Sequence, residues 1–370
     1  MISDPKQTPI KTAILLLNMG GPESADEVHP YLKELFQDRE LLKLPVQKIL
    51  GNFIAWRRTP FIQQRYEELG QYSPTRKIME EQGEKIAALL DEVSPETAPH
   101  ACVPGFRYAV PRTGEELERF RSAKRIILFS HYPQHSCSTS GSSLCDAYRW
   151  LNDHPGLKDK ISVIDRWWDR DDYSDLWVEL IEKKFHEFTN SNNLDEKDVL
   201  VLYSAHSLPE AYCLEKGDRY NQEILGTVEN IERKLKEHGL EHRHALGWQS
   251  KVGPKRTKWL SPSTPEVIQQ SNEKAIFIVP VAFTTDHIET LDEIDIEFRE
   301  YVEEAGKLFC RAECFNLEKS FIDLCGKLVQ EHIAESFKSS IRPCCENCVG
   351  KDCAAMREYF SSTPVQYQKS

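Results

Sequence analysis

Short apolar runs alternate with longer amphipathic runs along most of the 370-residue chain. Runs of about four to eight apolar and β-branched residues predict buried strands, whereas apolar positions three and four residues apart predict helices. The predicted strands are residues 13–17, 125–130, 161–165, 199–204, 244–248 and 275–282. The predicted helices are residues 77–93, 142–152, 173–188, 223–238, 289–304 and 321–336. This alternation predicts an α/β fold in which helices connect parallel strands.

The chain is longer than a single hydrophobic core usually supports, so two packed units are expected. A polar stretch at residues 169–174 precedes a long predicted helix and indicates a boundary between two halves. The predicted parts are an N-terminal leader or arm (1–10), an N-terminal lobe (11–172), a C-terminal lobe (173–341) and a cysteine-rich tail (342–370). Both halves begin with a buried strand that runs into a turn, LLLNMGGP and VLYSAHSLP, which favours two similar lobes.

The charge and composition of the chain argue against nucleic-acid binding, a membrane-spanning helix and an N-terminal targeting signal. The chain has 47 basic and 59 acidic residues and a net charge of −12, so nucleic acid is not an expected partner. No run reaches the ~20 apolar residues that a membrane-spanning helix needs. The first ten residues contain neither an apolar secretory core nor an Arg-rich presequence, which is typical of a mature or cytosolic chain.

Two histidines follow predicted strands, where the open sheets of α/β proteins collect their ligands. His206 comes after the strand at 199–204, and His287 comes after the strand at 275–282. A neutral imidazole at such a position accepts a proton near neutral pH or binds a metal. The alternative is that each histidine only forms a hydrogen bond within its turn.

Glu289, Glu293 and Glu297, which we call the acidic row, recur every four residues and would lie on one face of a helix. Like charges at this spacing are mildly unfavourable, and only Arg299 offers a cation between positions 286 and 300. One interpretation is the solvated face of an amphipathic helix. The other is a row of carboxylates that connects water with a buried pocket and carries protons or divalent cations.

Residues 41–66, which we call the lip segment, combine apolar and aromatic side chains with Arg57 and Arg58. This composition suits a segment that lies at a membrane surface or borders an apolar pocket. A buried pair of helices explains the same pattern.

The chain contains eleven cysteines, and its first residues do not resemble a secretion signal. Metal binding or buried thiols are therefore favoured over disulfides. Cys345, Cys348 and Cys353 form a C-x2-C-x4-C spacing that suits one metal centre and lacks a fourth local ligand. Because the adjacent Cys344 points in a divergent direction, a distant cysteine is expected to complete the set. Both an iron–sulfur cluster and zinc fit this spacing.

Many motifs occur in one order between about residues 11 and 360. They are LNMGGP, RRTP, SPETAPH, GFRY, YPQHSCSTSGSS, IDRW, SAHSLP, WQSKVGP and FTTDHIETLDEIDIE. With these motifs the chain resembles the ferrochelatase family, whose members insert ferrous iron into protoporphyrin IX in the last step of haem synthesis. The resemblance implies two similar Rossmann-like lobes, each with a parallel sheet flanked by helices.

The resemblance also implies roles for single residues. His206 matches the histidine that takes protons from the pyrrole nitrogens or touches the metal, and Glu289 matches its acidic partner across the macrocycle. Asp286 and His287 match the support of that site, while Glu293 and Glu297 match a carboxylate channel. The positions that match porphyrin-binding residues are Met19, Arg58, Arg107, Tyr108, Tyr132 and Trp248.

Cofactors and partners follow from the resemblance as well. Animal-type members hold a [2Fe-2S] cluster, whose ligands match Cys137, Cys345, Cys348 and Cys353. Protoporphyrin IX and Fe2+ are the implied substrates. The family further implies a homodimer that associates peripherally, through the lip segment, with the matrix side of the mitochondrial inner membrane.

Several positions depart from the family pattern. They are Gln71 and Tyr72 in place of glycines, His131 in place of glutamine, Trp168 in place of proline, and Lys216 in place of arginine. These departures motivate an alternative hypothesis, a weak or inactive ferrochelatase-like protein that binds porphyrin or haem. A third hypothesis is an α/β enzyme whose cysteine-rich tail is held by structural zinc and which uses paired carboxylates on another substrate.

Overall fold

The computed structural model describes residues 9–251, 256–335, 341 and 351–361. In these residues the chain forms two parallel sheets of four strands each. The first sheet contains β1 (Thr12–Asn18), β2 (His100–Phe106), β3 (Arg125–Ser130) and β4 (Ile161–Ile164). The second contains β5 (Val199–His206), β6 (Arg243–Gln249), β7 (Ala275–Val279) and β8 (Leu308–Arg311). The predicted α/β class is confirmed.

The two sheets have the same topology. Their strand orders are β2-β1-β3-β4 and β6-β5-β7-β8, and all neighbouring strands run parallel. The first strand of each half, β1 or β5, therefore occupies the same position in its sheet, between the second and third strands. This equivalence confirms the two similar lobes that the repeated strand-and-turn pattern predicts.

Helices flank both sheets. They are α1 (Ala25–Gln37), α2 (Gln47–Leu69), α3 (Thr75–Val93), α4 (Thr113–Arg119), α5 (Ser142–Asp153), α6 (Asp171–Asn192), α7 (Glu210–Leu214), α8 (Tyr220–Glu237), α9 (Thr264–Gln270), α10 (Arg299–Glu304), α11 (Lys319–Ala334) and α12 (Lys351–Ser361). The predicted helices occur close to their predicted bounds, with one exception. Residues Glu289–Phe298 form a π-helix, and only α10, which follows, is α-helical.

The hydrophobic core is continuous between the sheets. One cluster of buried side chains includes Ile14 and Phe129 from the first sheet and Val201 and Phe277 from the second. Helix α11 packs against α3, and a Cβ atom at Gly326 would lie 2.6 Å from a methyl group of Leu89. Because the core crosses the proposed boundary at residue 172, the exact division into lobes stays a prediction.

The described part of the cysteine-rich tail packs on the first sheet's side of the molecule. Cys353, Met356 and Phe360 of α12 are buried in a second hydrophobic cluster with Leu144 and other apolar side chains. Asp352 accepts a hydrogen bond from the Nε atom of Arg149 at 3.0 Å. The tail therefore docks on the body, as expected for a segment that is too short to form its own core.

Candidate active site

The carboxyl ends of four central strands carry the candidate residues. In each sheet the chain order reverses between the first and third strands, which is where ligands bind in open α/β sheets. Met19 follows β1 and Tyr132 follows β3, and the backbone N–H of Met19 donates to the Tyr132 hydroxyl at 2.6 Å. In the second sheet His206 ends β5, and Glu289 follows β7. The same edge of both sheets thus supplies the site.

His206 has a defined proton position. Its Nδ1 atom lies 2.7 Å from the backbone carbonyl oxygen of Ser207. A carbonyl oxygen only accepts hydrogen bonds, so Nδ1 carries the hydrogen in the neutral ring. The Nε2 atom therefore keeps its lone pair, as a general base or a metal ligand requires.

Glu289 is an ionised carboxylate in a partly enclosed position. Its side chain is 35% exposed, and Oε2 lies 2.5 Å from the Nδ1 atom of His287. Burial favours a higher pKa, but the charge and hydrogen bond of His287, together with the charge of His206, outweigh it and lower the pKa of Glu289 to about 2. Glu289 is thus negatively charged throughout the neutral pH range.

The carboxylate of Glu289 interacts electrostatically with residues from both halves of the chain. Burial raises the pKa of Tyr132, and the negative charge of Glu289 raises it further. Burial likewise raises the pKa of Tyr31, and Glu289 adds to the shift. The Thr284 hydroxyl donates to the backbone carbonyl of His131 at 3.3 Å, so the loop after β7 contacts the segment that follows β3. A common site formed by His206, Tyr132 and Glu289 stays a prediction.

The acidic row lies on the π-helix Glu289–Phe298. The prediction of an α-helix over residues 289–304 is therefore wrong for the first ten of those residues. π-Helices are rare and concentrate at functional sites. Ile294 and Phe298 are fully buried in a cluster with strands of the second sheet, which fixes one side of the π-helix. The carboxylates of Glu293 and Glu297 are on partly exposed side chains.

Each carboxylate of the row has its own partners. Glu293 accepts hydrogen bonds from the backbone N–H of Ser250 at 2.6 Å, from the Ser250 hydroxyl and from the Gln249 amide at 3.1 Å. Burial raises the pKa of Glu293 despite these bonds and the charge of His206. Glu297, 38% exposed, pairs with Arg65 of α2 at 3.2 Å. Glu293 and Glu297 therefore have partners outside the row, and a route along the row from His206 to water stays a prediction.

Asp286 holds the turn before the π-helix. It accepts hydrogen bonds from the Asn316 amide at 2.6 Å, the Thr290 hydroxyl at 2.9 Å and Arg311 at 3.1 Å. Burial favours a higher pKa for Asp286, but the charge of Arg311 and the hydrogen bonds outweigh it and lower the pKa. Asp286 thus fixes the turn through three side-chain contacts, and its role as a support of the site stays a prediction.

Three residues that the resemblance assigns to porphyrin binding are deeply buried. Arg107 pairs with Asp38 at 3.0 Å and donates to the Ser142 hydroxyl at 3.0 Å. The Tyr108 hydroxyl donates to Asp38 at 2.7 Å. Trp248 is only 5% exposed and packs against Tyr220. The contacts with Asp38 and Ser142 fix the side chains of Arg107 and Tyr108. A role of Arg107, Tyr108 and Trp248 in porphyrin binding stays a prediction.

The lip segment forms the loop before α2 and most of α2 itself. Several of its large apolar side chains are exposed, including Ile49 at 68% and Trp56 at 64%. Arg58 is half-buried, and within the described residues its guanidinium has no ion pair; burial lowers its pKa. None of the described helices has the length and apolar character needed to cross a membrane. The prediction of an exposed apolar lip is thus consistent with the exposure of α2.

Two of the departures from the family pattern, the buried His131 and the partly buried Trp168, pack against the body. The Nε2 atom of His131 lies 3.0 Å from the amide oxygen of Gln82, and burial lowers the pKa of His131 to about 4, so the ring is neutral. The Trp168 ring covers Gly226 of α8, where a Cβ atom would lie 2.5 Å from the ring. The glycine accommodates the bulk that tryptophan adds.

The remaining departures lie near the lip segment. Gln71 is exposed beyond the end of α2, and the Tyr72 ring stacks on Tyr66 with centroids 5.1 Å apart. The ammonium group of Lys216 lies 3.0 Å from the ring centre of Tyr212. The Tyr212 hydroxyl in turn donates to the backbone of Leu41 at 2.7 Å.

The predicted cluster ligands are described in part. Cys137 begins a short π-helical turn, and its backbone N–H donates to Asp218 at 2.8 Å. Cys137 and the buried Cys353 belong to the same hydrophobic cluster. Cys345 and Cys348 lie outside the described residues. Both residues thus contact the same apolar cluster, and a metal centre that includes their thiols stays a prediction.

Sequence reasoning missed several residues of the site. Gln249 and Ser250 lie within the WQSKVGP motif, and the positive φ of 61° at Ser250 aims its N–H at Glu293. Arg65 and Arg311 provide the cations that the local sequence lacks, through Asp292 at 2.9 Å and Asp295 at 2.7 Å. Both arginines come from distant segments, so no local pattern identifies them.

Comparisons with known proteins agree with the resemblance. A family model described as ferrochelatase matches residues 11–333. The mitochondrial ferrochelatase of Gallus gallus is 42% identical over 371 residues, covering 97% of this chain and 90% of that protein. The mitochondrial ferrochelatase of Homo sapiens is 42% identical over 369 residues, covering 97% and 85%. The solved structure of SirB from Bacillus subtilis with Fe3+ aligns over 88% of this chain and 98% of that chain, with 11% identity and a TM-score of 0.48.

Proposed function

The chain belongs to the ferrochelatase family, and from that premise we propose that its reaction, the insertion of ferrous iron into protoporphyrin, takes place between His206 and Glu289. The observation that carries this assignment is the ionised carboxylate of Glu289 in the field of His206, at the strand ends of both sheets. The enzyme is a lyase that joins a divalent cation to a macrocycle and releases two protons.

The two groups have complementary chemistry. The Nε2 lone pair of His206 accepts a proton from a pyrrole nitrogen on one face of the ring. The negative charge of Glu289 attracts the ferrous ion and stabilises the positive charge that His206 gains when it accepts a proton. Base and carboxylate then act on one macrocycle without a redox change.

The acidic row provides a route for the released protons. Glu293 lies in the field of His206, and burial raises its pKa, so it accepts a proton more readily than an exposed carboxylate does. Glu297 follows at the surface beside Arg65. We assign the row to proton and cation exchange between the site and water, in preference to a purely solvated helix face.

The lip segment is proposed to guide the porphyrin. Its exposed apolar side chains match the apolar ring edges. The guanidinium of Arg58 has no ion pair in the part of the chain that the structure describes and suits a propionate group. The same surface suits peripheral contact with a membrane. The relatives named mitochondrial support a location in mitochondria. The matrix side of the inner membrane and the homodimer are proposed from the family resemblance alone.

Cys137, Cys345, Cys348 and Cys353 are proposed to hold a [2Fe-2S] cluster. The cluster would supply four iron–thiolate bonds that fasten the tail to the body. The packing of α12 on the body through Met356 and Phe360 supports this role. A Cys348→Ser variant should lose the visible absorption of the protein, whereas Cys310→Ser, a half-buried cysteine of β8, should keep it. A colourless wild-type protein that contains zinc would contradict the cluster.

An assay under anaerobic conditions tests the catalytic assignment. Wild type, His206→Ala and Glu289→Gln are given ferrous iron and protoporphyrin, and haem formation and porphyrin binding are measured together. Loss of a positioned base costs roughly 10²- to 10⁴-fold in rate. We expect both variants to bind porphyrin and to lose haem formation by about that factor. A wild type that binds porphyrin but forms no more haem than the variants would favour the alternative, a binding protein.

A further inference from the structure

A second group of ligand-type side chains lies at the opposite end of the second sheet. Glu232 is on α8, His242 precedes β6, and His244 is on β6. The Nε2 atom of His242 lies 3.1 Å from one oxygen of Glu232, and the Nδ1 atom of His244 lies 2.9 Å from the other. One ligand atom from each residue lies within 4.8 Å of the others. The three side chains therefore converge on one point.

We propose that Glu232, His242 and His244 form a binding site for a first-row divalent transition metal, with zinc as the preferred ion. Two imidazoles and one carboxylate are a ligand set that zinc uses in proteins, and a fourth position remains for water. Hard ions such as Mg2+ prefer oxygen ligands and are not favoured by this set.

The orientation and the ionisation of the Glu232 carboxylate both suit the binding of a cation. Tyr203 donates to Glu232 at 2.6 Å, which orients the carboxylate toward the histidines as a supporting hydrogen bond does in metal sites. Burial favours a higher pKa for Glu232, but the hydrogen bonds of His242 and His244 outweigh it and lower the pKa to about 2. The ligand is thus ionised at neutral pH.

The site opens to solvent in a cavity whose lining also includes four cationic side chains, Lys197, Arg233, Lys236 and Arg243. The three residues line a surface cavity of about 920 Å³. Two arginines of the same cavity are bound elsewhere, since Arg243 pairs with Glu273 at 2.7 Å and Arg233 pairs with Glu237 at 2.9 Å. His242 is almost fully buried, and its Nδ1 atom has no partner within the described residues. Only Glu232 therefore orients the imidazole of His242 through a hydrogen bond.

This site is separate from the proposed insertion site. In the parallel pairing of β5 and β6, His244 lies beside Val201, and His206 lies beside Gln249, at the far end of the strands. At a rise of ~3.3 Å per residue, the two positions are about 16 Å apart along the sheet. The second site therefore holds its own ion, which would fasten α8 to the start of β6.

Zinc binding by the full-length protein tests the proposal. Equilibrium dialysis against Zn2+ compares the wild-type protein with the variants His244→Asn and Glu232→Gln and with the control His238→Asn. His238 pairs with Glu182 at 2.9 Å outside the group, so it matches a histidine–glutamate pair that has no third ligand. We expect wild type and His238→Asn to bind one more equivalent of zinc than His244→Asn and Glu232→Gln.

Two further measurements separate this result from the active site and from misfolding. The His206→Ala protein should retain the extra zinc, because His206 belongs to the other site. Zinc should raise the thermal midpoint of wild type and not of His244→Asn, whose substituted side chain is half-exposed and tolerates replacement. Equal zinc stoichiometry and equal thermal shifts in wild type and His244→Asn would overturn the proposal, whatever the iron-insertion rate.

Discussion

The Nδ1 atom of His287 lies 2.5 Å from the Oε2 atom of Glu289, two residues further along the chain. The same Nδ1 atom also accepts a hydrogen bond from the backbone N–H of Glu289 at 3.1 Å, so the imidazole contacts both the backbone and the carboxylate of Glu289. The loop after β7 thus supplies both the charged group of the site and the residue that keeps it charged.

Removal of His287 should change the pH dependence of iron insertion. Without its charge and hydrogen bond, burial dominates, and the pKa of Glu289 rises from about 2 toward and above its ordinary range. We expect His287→Ala to lower kcat/KM by roughly 10- to 100-fold, as loss of a supporting residue commonly does. The acid limb of the pH–rate profile should also move to higher pH. An unchanged acid limb, with His238→Asn as the control, would contradict the role of His287.

Arg65 should connect α2 to the π-helix. It pairs with the buried Asp292 at 2.9 Å and with Glu297 at 3.2 Å. Arg65→Ala leaves the Asp292 carboxylate without its cation, which we expect to cost about 2 kcal/mol of stability, measured by denaturant unfolding. The exposed pair of Arg121 and Glu118 provides the control, because Arg121→Ala should leave the unfolding midpoint unchanged. Equal midpoints for both variants would show that Arg65 does not fasten α2.

Trp56 should contribute to membrane binding through the lip segment. Burial of a large apolar side chain at an interface stabilises binding by about 1.5 kcal/mol or more. We expect Trp56→Ala to bind vesicles that contain anionic lipid roughly 10-fold more weakly, measured by co-sedimentation. Leu225→Ala, an exposed apolar residue of α8, is the matched control and should bind like wild type. Equal losses for both variants would argue against a specific lip.

Trp168 and Gly226 should be energetically coupled. An alanine at 226 would place its Cβ atom 2.5 Å from the Trp168 ring, and overpacking of this kind costs about 1–3 kcal/mol. In the Trp168→Ala background the clash is absent, and the higher helix propensity of alanine should make Gly226→Ala stabilising by up to about 1 kcal/mol. Thermal unfolding of both single variants and the double variant tests this change of sign. Additive effects would contradict the contact.

The strands show where sequence patterns suffice. The predicted strands correspond to β1, β3, β4, β5, β6 and β7, because long apolar runs signal central or fully buried strands. The pattern misses β2, which contains Pro104 and Gly105 and lies at a sheet edge, where proline is tolerated. It also misses the short edge strand β8. The pattern does predict the edge strands β4 and β6, so an edge position alone does not hide a strand. β8 contains no buried residue and therefore leaves a weaker signal.

Local sequence patterns also reveal only part of the candidate active site. His206, His287 and the acidic row stand out because they follow strands or recur at fixed spacing. The π-helix does not, since Ile294 and Phe298 are four residues apart and fit either helix type. Arg65 is 232 residues from Glu297, and only the folded chain brings them together. Long-range ion pairs of this kind compensate the acidic row, and no local pattern reveals them.

A crystal structure of the protein with bound protoporphyrin IX, in the absence of iron, tests the central claim most directly. We predict that the macrocycle lies between the Nε2 atom of His206 and the carboxylate of Glu289, with its edge against the lip segment. A macrocycle bound elsewhere, or with both groups on the same face of the ring, would contradict the proposed division of roles.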